Sequence, residues 1–108
     1  MDPLYTKEKL AVAVHALATG KGGIKARLKE AFMSFHVLSG EDFPEELKVE
    51  WNYIYEGLTK EEPICDAQGE ITTGKMDNTL RKMDEETGVD IAERIYDLDD
   101  KLSDYILD

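Results

Sequence analysis

The chain has 108 residues, 42% of them hydrophobic, with 24 acidic against 13 basic side chains and a formal net charge of −11. That size suits a single domain spanning residues 1–108, and the apolar share is too high for a disordered chain of this charge. The acidic balance argues against direct nucleic-acid binding and against electrostatic attachment to an anionic membrane. A lone cysteine supplies neither an internal disulfide nor a cysteine-rich zinc site.

In chain order, Asp2-Pro3 reads as a helix start, with Asp2 as N-cap and Pro3 at the first helical position. Leu10, Val14 and Leu17 follow at i, i+4 and i+7, and Gly20 ends the helix. Alanines at 11, 13, 16 and 18, with Val12, make its second half apolar nearly all round, which predicts a central helix. His15 falls in that belt and is expected to be packed and hydrogen-bonded in the core. The run from Leu10 to Ala18 after Lys7 and Lys9 has some features of a secretory leader, but His15, the alanine content, Asp2 and Glu8 count against one. No run approaches the roughly 18 apolar residues that span a bilayer. The expectation is therefore a soluble, cytoplasmic chain that makes no membrane contact.

Gly20-Lys21-Gly22-Gly23 predicts a turn, and Ile24, Leu28, Ala31, Phe32, Phe35 and Leu38 predict a second helix closed by Ser39-Gly40. A third helix is expected from Pro44, with Glu45 and Glu46 in its first turn and a core face of Leu47, Trp51, Ile54, Tyr55 and Leu58. Residues 59–72 are aperiodic, and Pro63-Ile64-Cys65 is expected to pin this loop to the bundle. A short helix carries Met76, Leu80 and Met83. Asp84 then caps a last helix whose start is blurred by Gly88 and whose core stripe is Ile91, Ile95, Leu98, Leu102 and Ile106. No stretch alternates with period two for long enough to make a strand. The fold class is all-α, a compact bundle of four to five helices.

Several motifs come close to known chemistry and fail. Placing Gly69 at the sixth position of a calcium loop puts Ile64 at the first and Lys75 at the twelfth, where acidic ligands are needed. The glycine-rich turn at 20–23 lacks the hydroxyl and the preceding strand of a phosphate loop, and Gly74-Lys75 is followed by Met76. Cys65 has only His15 and His36 as potential bases, both on helices assigned to the core. No catalytic residue, metal site or cofactor is assigned.

Charge is where the sequence speaks most clearly. Residues 1–40 carry a net of +3 and residues 41–108 a net of −14. Much of the latter lies on one stripe: Glu86, Asp90, Glu93, Asp97, Asp100, Asp104 and Asp108 recur at alternating helical steps and fall within an arc of about 80°. Only Arg94 and Lys101 flank them closely. Such a face is either merely solvated or built to meet a basic partner. On the third helix, Val49, Tyr53 and Gly57 lie about 120–160° from the core face. This second apolar strip is to be covered by another helix of the chain or by a second copy in a homodimer.

The leading functional expectation is a small acidic, non-enzymatic protein-interaction module that binds another protein with a basic surface. One form of it is an inhibitor that imitates nucleic-acid phosphates, a likeness of composition from which no residue roles follow. The alternative is a small helical enzyme or ligand-binding protein with a pocket near His15, His36 and the 59–72 loop.

Overall fold

The computed structural model describes residues 2–107. The Asp2 carboxylate accepts hydrogen bonds from the backbone N–H groups of Leu4 (3.1 Å) and Tyr5 (3.3 Å), satisfying donors that the first turn leaves free. With Pro3 at its first position, helix α1 (Pro3–Thr19) runs to Gly20, whose N–H closes it on the Ala16 carbonyl at 2.8 Å. Gly22 then takes φ +89°, a conformation that suits glycine. Arg27 ties the turn down by donating to the carbonyls of Gly22 (3.1 Å) and Leu17 (3.2 Å).

Helix α2 (Ile24–Phe35) stops short of the predicted Leu38. The Leu38 N–H donates to the Phe35 carbonyl at 2.9 Å, a tighter closure that buries Leu38 and leaves Val37 exposed. The third helix likewise begins differently from its sequence pattern: Glu45–Leu47 form a 3-10 turn, and α3 proper is Lys48–Leu58.

The aperiodic stretch holds a structure that the sequence pattern did not reveal. Strands β1 (Ile64–Cys65) and β2 (Ile71–Thr73) pair antiparallel, with Ile64 opposite Thr73 and Cys65 opposite Ile71. Its turn is built by Asp66, whose carboxylate accepts from the N–H groups of Gln68 and Glu70, both at 2.9 Å, while Gly69 takes φ +84°. Ile64 and Cys65 are exposed and do not pin the loop to the bundle. The segment is anchored instead at its base, through α4 (Lys75–Lys82). There the buried Thr79 hydroxyl accepts from the Glu61 N–H (3.0 Å), and the buried Asn78 amide donates to the Glu62 carbonyl (2.7 Å).

Helix α5 (Glu85–Leu107) starts under an Asp84 cap, whose carboxylate accepts from the Thr87 N–H at 2.7 Å. Ile91, Ile95, Leu98 and Leu102 face inward as the stripe requires, and Ile106 is half-buried. Gly88 is buried in this helix where α5 crosses α2: a Cβ there would lie 3.2 Å from Ile24 Cγ2 and 3.4 Å from Leu28 Cδ1. Trp51 is 2% exposed. Its ring stacks on Phe43 at 4.8 Å and meets Phe35 edge-on at 5.5 Å.

The result is an all-α bundle with one small hairpin. Helix α1 packs on α2 and α5, and α3 packs on α5 and α4. Helix α1 is less enclosed than its composition suggested. Ala11, Val12, His15 and Ala18 face solvent, so His15 is not a packed core histidine. Alanine leaves little apolar area in water, so a face lined with it does not need a third neighbour. His36, just beyond α2, is also exposed. Among the described residues, no helix is long and apolar enough to cross a membrane.

Candidate protein-interaction face

Among the described residues, helix α5 is the longest element and is buried along one stripe only, and no other element covers its opposite face. Glu86, Asp90, Glu93, Asp97, Asp100 and Asp104 are all exposed on that face. At 1.5 Å rise per residue they extend over about 27 Å. Asp108 lies outside the described residues.

The cations nearest the stripe do little to neutralise it. Arg94 reaches Asp90 at 2.9 Å, the one ion pair of a stripe carboxylate among the described residues. The Asp90 hydrogen bond holds the Arg94 guanidinium protonated still more firmly than a free arginine. Lys101 turns to α3, donating to Glu50 at 3.1 Å and holding that carboxyl below the ordinary glutamate range. Lys7 pairs with Asp99 at 2.7 Å, off the stripe.

The stripe has two borders. Toward α3, the Arg94 guanidinium lies 3.9 Å above the centre of the Tyr53 ring, a cation–π contact. Tyr53 remains 50% exposed and Val49 76% exposed, whereas Gly57 abuts α5, with Ile91 Cδ1 3.3 Å from where its Cβ would be. Of the three residues read as one strip, Gly57 and one face of Tyr53 are thus met by α5, and Val49 stands open.

Toward α1 runs a groove of about 310 Å³ lined by Val14, Leu17, Ala18, Val89, Ala92 and Tyr96, with Glu93 at its rim. No local pattern in the sequence marks this groove. Val14 and Leu17 are half-buried at the edge of the core, and Tyr96 lies between the core and acidic positions of α5. Only the antiparallel pairing of the first helix with the last brings these residues together.

The residues of the alternative reading take other roles. His15 opens to solvent. The His36 ring stacks on Phe32 at 5.8 Å, with Nδ1 donating to the Met33 carbonyl at 3.1 Å. Cys65 is exposed on the hairpin. Asp66, the residue nearest to a calcium-loop ligand, spends its carboxylate on the turn's own N–H groups. Comparison of the chain with models of known families, with curated proteins and with solved structures finds no match.

Proposed function

We propose that this protein is a small acidic, non-enzymatic interaction module that docks a basic surface of another protein on the exposed face of α5. The observation that carries the reading is the stripe itself. Six carboxylates share one exposed helix face, and among the described residues only Asp90 has an ion-pair partner. Like charges at i, i+4 oppose helix formation by roughly a few tenths of a kcal/mol per pair. A solvated face needs no such concentration, whereas a basic partner turns the repulsion into attraction and speeds encounter.

Charge reversal tests it. With the protein as bait in an extract of its host, a partner bound at low salt is expected to release as salt rises, and to be lost when Asp97 and Asp104 are both changed to lysine. Circular dichroism is expected to show that fold retained. A partner whose affinity ignores both salt and these substitutions overturns the reading. Displacement of that partner by duplex DNA would mark the form in which the stripe imitates phosphates.

Self-association is a second reading, favoured by the exposure of Val49 and Tyr53 on α3. A two-fold contact would set this edge against itself. Sedimentation of the wild type as a dimer, and of Tyr53→Lys as a folded monomer, would support it. A wild-type monomer at high micromolar concentration rejects it.

A further inference from the structure

We propose that the groove between α1 and α5 seats the apolar ridge of a short, basic amphipathic helix, an inference that rests on the acidic-face reading of α5 and specifies what that face recognises. The floor of the groove is apolar on both sides: Val14, Leu17 and Ala18 from α1, Val89, Ala92 and Tyr96 from α5. Its banks differ in charge. From Leu10 to Thr19, α1 has no acid, lysine or arginine, and His15 is its one titratable side chain, so that bank offers no carboxylate. On α5, Glu93 lines the groove about 40–60° round the helix from Val89 and Tyr96, and Asp97 follows it one turn on, exposed, so the other bank is acidic. The Lys7–Asp99 ion pair at 2.7 Å joins the two helices beyond Tyr96 and bounds the groove at that end. From Val89 to Tyr96 the trough runs about 10 Å, two turns of helix.

These features fix the chemistry of the occupant. An apolar pair at i, i+3 or i, i+4 fits a trough of two turns, the way amphipathic helices lie in hydrophobic grooves. Lysine or arginine along one flank of that helix would meet Glu93 and Asp97. A second copy of this chain related by a two-fold would bring its own acidic stripe against the first, with like charges facing. A basic helix has no such conflict.

The test uses the full chain, isotope-labelled for NMR, with three synthetic probes of equal charge: a leucine–lysine amphipathic peptide, its scrambled isomer, and oligolysine. The amphipathic peptide is expected to bind about tenfold more tightly than the other two, shifting the signals of Val14, Ala18, Val89, Ala92 and Tyr96. Ala18→Trp fills the groove from an exposed position without changing charge. It is expected to reduce the amphipathic peptide to the affinity of oligolysine and to leave oligolysine unaffected. Val89→Ser, which thins the apolar bank without adding bulk, is expected to act in the same direction should the tryptophan variant fail to fold. Equal binding of the scrambled isomer, or indifference to the folded groove variants, overturns the groove while the acidic face stands. The acidic face itself fails if oligolysine binds Asp97→Lys as well as wild type. A wild-type dimer that Ala18→Trp converts to monomer assigns the groove to a second copy and overturns the basic helix.

Discussion

Trp51 shows how much a single side chain organises. Its ring contacts Phe43, Phe35 and Tyr55, so the connection after α2, α2 itself and α3 all meet at one indole. Trp51→Ala is expected to cost about 3–5 kcal/mol in denaturant unfolding, the usual range for truncating a large buried aromatic. Near-wild-type stability would show that the aromatic cluster is dispensable. Glu50, one residue earlier, sets part of the acid response. Because Lys101 holds its carboxyl below the ordinary range, the folded state binds that proton more weakly than the unfolded chain does. Its contribution is therefore complete above the unfolded value, about 4.3, and is lost as pH falls through the folded one. Asp84 acts with the same sign, its carboxyl lowered by hydrogen bonding to Thr87. The melting temperature is expected to drop between about pH 5 and pH 3, and the drop to be shallower in Glu50→Gln. The difference will be small, since Glu50 keeps a third of its side chain in water. Parallel acid limbs for the two proteins would mean that the Glu50–Lys101 contact adds nothing.

At the scale of elements, what could be read from the chain depended on whether a signal was local. The Asp2 cap, the α5 stripe and Leu47, Trp51, Ile54 and Leu58 of the third helix came through because capping and helical period act within a few residues, whereas Tyr55, at the edge of that face, is exposed. The hairpin did not, since strands of two and three residues, exposed except for half-buried Thr73, are too short to show alternation. His15 was misplaced for a different reason: in a belt of alanines every face looks equally apolar, and only the neighbours α2 and α5 decide which one is covered. The acidic stripe of α5 was legible as a pattern, and its exposure follows from the core stripe opposite. The groove beside it was not, because it belongs to two helices far apart in sequence. Gly88 also gains its meaning at this scale. Alanine there would regain about 1 kcal/mol of helix propensity against a tight contact with Ile24 and Leu28, and near-neutral stability is expected. Gly88→Leu has no room and is expected to cost about 1–3 kcal/mol in thermal unfolding. An unchanged leucine variant would show that α5 can stand away from α2.

For the molecule as a whole, the imbalance of charge along the sequence becomes a division of labour among helices. The chain segment with a net of +3 forms α1 and α2, which enclose much of the core, while the acidic remainder supplies the open face of α5. The seam that joins these halves has a consequence for the order of events in folding. Lys7 and Asp99 stand 92 positions apart in the chain yet lie 2.7 Å apart in space, whereas α1 and α2 are joined by a four-residue turn (Gly20 to Gly23). Closing a long loop carries a larger entropic penalty than closing a short one, so the α1–α2 hairpin should form first and the last helix should dock late. A late-docking helix contributes little to the rate-limiting barrier. Ile95→Val, at a fully buried position in that helix, is accordingly expected to lose about 0.5–1.5 kcal/mol. Stopped-flow chevrons are expected to place that loss almost wholly in faster unfolding, with refolding unchanged. Slowed refolding would instead put the last helix in the nucleus, making closure of the chain's two ends the first event rather than the final one.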